Sequence, residues 1–180
     1  MSLFPAAQRG FSLLEVLVTL VVVSIGLMGA VALQVSSLRA SDAALQRTRA
    51  TLLAEGMIER IQANATSQAL ALYNVGENET PPLGTGRWPH IACSAACDSS
   101  AWAGRDLWDL DQQLQRRIDG SVADALPLAG SCIAIDGSQV SVSVVWQGSG
   151  GGDLAVTSCG SATIPSGRRE VRLMSSVLPQ

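Results

Sequence analysis

The sequence predicts an α+β chain, with one long N-terminal helix followed by a small antiparallel sheet. Three observations predict it. Val16–Leu33 is an eighteen-residue run without a charge. Gln34–Leu72 holds no Pro and a single Gly, Gly56. Beyond residue 130, β-branched residues alternate with Ser after an Asp136-Gly137 turn signal. The 180 residues suit one domain plus a segment. Only 15% of them are charged, against about 25% in a typical soluble domain. That deficit is local: from Gly10 to Leu38 the one ionisable side chain is Glu15.

Composition removes several function classes. A net charge of -3 argues against a nucleic-acid binder, which carries a basic patch or stripe. One histidine leaves little room for a His-based metal site or catalytic triad. The apolar segment argues against an unanchored soluble protein.

Taken in order, the first element is the apolar run. A hydrocarbon core about 30 Å thick needs roughly 20 helical residues, and Phe11–Leu14 extends Val16–Leu33 to that length. A cleavable secretory signal has a small-residue site after its apolar region. Here the small residue, Gly10, stands before it, directly after Arg9. A plain membrane anchor leaves Glu15 unexplained. An acid within a membrane span costs at least about 2.5 kcal/mol and is read as functional by default. The chain offers no partner for it within the span.

The helix is expected to continue to about Tyr73, giving a rod on the order of 90 Å at 1.5 Å per residue. Its outer half carries two stripes: Leu38, Leu45 and Leu52 on one side, and Ala43, Ala50, Ala54, Met57, Ile61 and Ala65 on another. Two stripes allow a helix buried all round in one domain, or one that packs on the chain's own sheet by one stripe and on neighbouring subunits by the other. Asn74–Arg87 reads as a loop rich in Gly, Pro and acids. Asp106–Ile118 reads as a short helix with Leu107, Leu110, Leu114 and Ile118 on one face and Gly120 as its stop. Ser131–Ile135 and Gln139–Trp146 form a predicted hairpin, with Val140, Val142, Val144 and Trp146 on one face and Ser141 and Ser143 on the other. A strand near Leu154–Thr157 and a last one at Glu170–Leu178 complete a sheet of three or four strands. Gly148–Gly152 is a flexible loop without the strand-to-helix context of a phosphate-binding loop.

Arg9-Gly10-Phe11-Ser12-Leu13-Leu14-Glu15-Val16-Leu17-Val18 resembles the class III signal of type IV prepilins and type II secretion pseudopilins. The resemblance implies a leader over 1–10, cut after Gly10 by the prepilin peptidase, with Phe11 as the methylated first mature residue. It implies that 11–33 is the transmembrane and assembly half of the helix, 34–73 its amphipathic half, and 74–180 a C-terminal domain containing the sheet. It also gives Glu15 a partner, the N-terminal amine of a neighbouring subunit, so that each charge offsets much of the other's desolvation. Ser24-Ile25-Gly26-Leu27-Met28-Gly29, Leu33-Gln34, Ser37-Leu38-Arg39 and Met57–Asn64 are similar to the PilV group of minor pilins. Unlike many major pilins, the chain has no Pro between Phe11 and Thr80, so no mid-membrane kink is expected.

All four cysteines, Cys93, Cys97, Cys132 and Cys159, lie downstream of the apolar run. An even number confined to one side suits an oxidising periplasm. Of the three possible pairings, Cys93–Cys97 with Cys132–Cys159 is favoured. The longer link would contribute roughly 3–4 kcal/mol by loop entropy. A zinc site from His90, Cys93 and Cys97 competes, without a second His or a CxxC.

The expected function is that of a minor pilin of a type IV pilus, which primes assembly at or near the fibre tip and thereby serves twitching motility and adhesion. Its expected partners are the prepilin peptidase, other major and minor pilins through the N-terminal helix, and the inner-membrane assembly platform. No direct nucleic-acid partner and no cofactor are expected. The chain would sit in the bacterial inner membrane with a periplasmic C-terminal domain, then in the fibre at the cell surface. A minor pseudopilin of a type II secretion system shares the signal. A membrane-anchored periplasmic enzyme would need a nucleophile or metal constellation after Tyr73.

Overall fold

The computed structural model describes residues 12–76, 82–92, 97–115, 126–148, 152, 154–155, 158–160, 164 and 166–178. By compactness the chain divides into Met1–Asp42 and Ala43–Gln180. Helix α1 spans Leu13–Ala63 without interruption. In the first unit its apolar side chains are bare, including Leu17, Val23, Ile25 and Leu33. Gly26 and Gly29 lie inside it and do not break it.

The second unit holds the outer part of α1, two further helices and the sheet. Ala50, Ala54, Met57 and Ile61, spaced four, three and four apart, form the buried face of α1. Leu45 and Leu52 on the other stripe stay 57% and 61% exposed. Ala50, Ala54, Met57 and Ile61 join the core together with the strands. Two glutamines fasten the helix there: Trp146 Nε1 donates to Gln46 Oε1 at 3.1 Å, and Gln62 Nε2 donates to Ser175 Oγ at 2.9 Å.

The helix does not continue to Tyr73. It stops at Ala63, and a separate α2 covers Ser67–Tyr73. Thr66 caps α2, its side chain accepting from the Ala69 amide. Asn64 Nδ2 donates to the Ser99 carbonyl at 2.8 Å. The break therefore comes from a local cap plus a partner 35 residues away, and it swings Tyr73 into the core.

Helix α3, Ser99–Gln115, begins seven residues before the sequence-predicted start at Asp106. Asp98 Oδ1 accepts from the Ala101 amide and caps it. Leu107, Leu110 and Leu114 face the core as the periodicity predicts, joined by Ala103 and Asp111. Ile118 and Gly120 lie outside the described residues.

Strands β1 (Gly130–Asp136), β2 (Gln139–Gln147) and β3 (Arg168–Ser176) form one antiparallel sheet in the order β1-β2-β3. The β1–β2 loop is Gly137-Ser138, closed by the Asp136↔Gln139 pair. Gly137 takes φ +58° and Ser138 is not among the positive-φ residues, the pattern of a type II′ hairpin turn. At the outer edge of β1, Val75 bridges Ile133 and Leu83 bridges Ser131. This covers an edge that would otherwise invite strand addition.

One sequence expectation changes here. Leu154 and Ala155 are not in a strand, although the Leu154 amide donates to the Arg168 carbonyl; Val156 and Thr157 lie outside the described residues. Ser141 and Ser143 are buried along with the valines, so β2 is covered on both faces. Val140, Val142, Val144 and Trp146 join the main core against the helices. Val145 joins a second small cluster with Cys132, Cys159 and Ile164.

Two polar networks tie the helices and turns together. The fully buried Tyr73 donates its hydroxyl to Asp106 Oδ2 at 2.6 Å. Arg60 lies 3.5 Å from Asp106 Oδ1 and 3.4 Å from Asp109 Oδ2. Burial pushes the Tyr73 phenol above its usual range, and the hydrogen bond to Asp106 adds to the shift. A raised folded pKa means stability is complete below the ordinary phenol value of about 10 and falls as pH rises above it. Urea melts of the full chain in detergent are expected to lose stability steeply above about pH 10, and Tyr73→Phe is expected to flatten that loss. An unchanged alkaline slope in the variant would contradict this.

The second network centres on Asp111, which is fully buried. Its Oδ1 accepts the amides of Gly84, Thr85 and Gly86 at 2.6, 3.1 and 3.3 Å. Its Oδ2 accepts Gln115 Nε2 at 2.5 Å. Gly84 and Gly86 take φ +95° and +73°, the left-handed conformations that let three successive N–H groups converge on one anion.

Candidate assembly site at the start of the long helix

Ser12 opens α1. Its carbonyl accepts the Glu15 and Val16 amides at 3.0 and 3.3 Å, and its Oγ accepts the Leu14 amide at 3.3 Å. Helix-start amides need such acceptors because no preceding turn exists. Glu15 therefore falls in the first turn, where the helix dipole favours a negative charge. Ser12 and Glu15 have the spacing of a capping box. Even so, among the described residues the Glu15 carboxylate takes no hydrogen bond and no ion pair. Among the described residues it stands without a partner, at the base of an apolar helix.

Within the apolar run Val16–Leu33 the Thr19 and Ser24 hydroxyls turn back to the helix backbone. Thr19 Oγ1 donates to the Val16 carbonyl at 2.8 Å, and Ser24 Oγ to the Leu20 carbonyl at 2.7 Å. Such back-bonding satisfies hydroxyls where no water is present. None of the apolar window is buried within the chain, and it is long and apolar enough to cross a membrane. An apolar helix with every side bare has to be covered by lipid, by other helices, or by both.

Gly10 and Phe11 lie outside the described residues, as does Cys93. Cys132 is bonded to Cys159, with 5.8 Å between their Cα atoms, and this link joins β1 to the segment before β3. Cys97 is also disulfide-bonded, so the zinc alternative has no Cys97 thiolate. The His90 ring meets Trp108 edge-on, with centroids 4.4 Å apart. Trp108 is thus partly used in packing, while Trp102 stays 48% exposed. Sequence reasoning missed Asp111, Asp106 and Tyr73. Asp111 did leave a signal, a charge on the apolar stripe between Leu107 and Leu114.

The geometry at the helix start agrees with a family comparison. Residues 5–31 match the model described as the prokaryotic N-terminal methylation motif. The chain has a type IV pilin-like N-terminus. The match includes Gly10, Phe11 and Glu15 and most of the apolar run. It supports a type IV pilin or pseudopilin, a structural subunit in kind rather than an enzyme. Processing by prepilin peptidase and association with other pilins follow from the motif, and the apolar helix is consistent with membrane anchoring. Nothing matches among curated proteins or among solved structures.

Proposed function

We infer that the chain is a minor pilin of a type IV pilus, of the PilV type. Prepilin peptidase cuts it after Gly10 and methylates Phe11. It waits in the inner membrane, with its C-terminal domain in the periplasm, and enters the fibre at or near the tip to prime assembly. Glu15 then pairs with the N-terminal amine of a neighbouring subunit. The observation that carries this reading is a carboxylate without a partner among the described residues, in the first turn of a bare apolar helix and inside a prepilin motif. The exposed Leu45–Leu52 stripe supports it too, since it leaves a helix face for other subunits while Ala50, Ala54, Met57 and Ile61 hold the domain. The disulfides suit the periplasm.

A type II secretion pseudopilin shares the motif, and deletion of the gene separates the two. The pilus reading predicts loss of twitching and surface pili with exoenzyme secretion retained. Loss of exoenzyme secretion with normal pili would establish the pseudopilin instead.

A further inference from the structure

A cavity of about 480 Å³ lies between the outer part of α1 and the sheet, beside the β2–β3 pair. Arg47 of α1 and Arg169 of β3 both line it. Among the described residues neither guanidinium is held by a hydrogen bond or an ion pair. Glu170, also at the wall, has an interaction of its own.

The wall around the two arginines is built. Trp146 is only 4% exposed and is fixed by its bond to Gln46. Arg169 is the cross-strand partner of Trp146, so both side chains share the sheet face that looks toward α1. Gly148 leaves room for Arg169: a Cβ at that position would stand 2.7 Å from both Cγ and Nε of Arg169. Its φ is not in the left-handed region, so the missing side chain serves space rather than backbone freedom. Leu154, 69% exposed, supplies an apolar rim.

We propose that this cavity is a receptor for an acidic side chain of another protein subunit. Guanidinium groups match carboxylates with paired, charge-assisted hydrogen bonds. The volume lies in the range of ligand pockets, about 300–1,000 Å³, and so takes a side chain with flanking residues rather than a bare ion. The apolar rim suits a residue next to the acid. That the donor is a fibre subunit rests on the pilin reading; the recognition of the acid does not.

The test uses the full chain in detergent micelles with its tryptophan indoles labelled by ¹⁵N. Trp146 lines the cavity, its indole N–H donates to Gln46, which lines it too, and the resonance is assigned by its loss in Trp146→Phe. Titration with acetyl-Leu-Glu-Leu-amide is expected to shift that resonance saturably. The Gln peptide is expected to bind at least about tenfold more weakly, because it lacks the charge. Arg47→Glu with Arg169→Glu is expected to abolish the shift while the other indole resonances persist. Gly148→Ala changes no charge and is expected to weaken binding by displacing Arg169. Equal binding of the Gln peptide, an equal shift with inorganic phosphate, or no shift at all would overturn the proposal. A chain left uncut after Gly10 would overturn the pilin reading and leave this titration standing.

Discussion

Glu15→Ala is expected to leave cleavage after Gly10 intact and to remove the chain from fibres. The reason lies in where the charge sits. In the first helical turn Glu15 is favoured by the helix dipole and has no other partner among the described residues, so removing it costs the folded subunit little. In the assembled fibre the carboxylate would face an amine in a low-dielectric helix bundle. Removing one partner of a buried ion pair leaves the other uncompensated, at about 3 kcal/mol or more. That corresponds to incorporation reduced on the order of 100-fold, with each 1.4 kcal/mol a factor of ten. Glu15→Gln sharpens the test. Glutamine keeps the length and polarity of the side chain but carries no charge. The account expects the Gln variant to be processed, to insert in the membrane, and to be absent from sheared fibres. Incorporation of the Gln variant at normal levels would contradict the charge pairing assigned to Glu15.

Asp111→Ala is expected to be the most destabilising substitution in the C-terminal unit. It would strand the amides of Gly84, Thr85 and Gly86 together with Gln115 Nε2, all of which converge on this one carboxylate. A buried donor left unsatisfied costs about 1–3 kcal/mol, so stranding several together is expected to cost about 3 kcal/mol or more, enough to lower the melting temperature by roughly 10 °C. Asp111→Asn keeps one acceptor oxygen for the turn. Its amide would meet the Gln115 amide, which a flip of Gln115 relieves, so about 1–2 kcal/mol is expected for that variant. Thermal melts of the full chain in detergent check both values. An Ala variant melting with the parent would show that water replaces the carboxylate at the turn.

These two residues also show what was legible in the sequence. Glu15 stands out because everything that gives it meaning is local: an acid five positions after Gly10, in a run with no other charge. The hairpin is legible for the same reason, through the alternation of Val140–Trp146 and the turn signal at Asp136-Gly137. Asp111 depends on a turn 25 to 27 residues earlier in the chain, and no local pattern names that turn as its partner. The break at residues 64–66 is similar. Asn64, Ala65 and Thr66 are all compatible with a helix, and the Ser99 carbonyl that claims Asn64 comes from tertiary structure. The early start of α3 was within reach, since Asp98 precedes Ser99-Ser100 as an N-cap. The burial of Ser141 and Ser143 was not, because it depends on residues distant in the chain, such as Arg172, whose Nη2 donates to Ser141 Oγ.

The measurement closest to the central claim is the mass of the N-terminus. The chain is to be expressed with an active prepilin peptidase, and its N-terminal peptide analysed by mass spectrometry. The account predicts a mature chain that begins at N-methylated Phe11, with residues 1–10 removed. A chain that still begins at Met1 beside an active peptidase would contradict it.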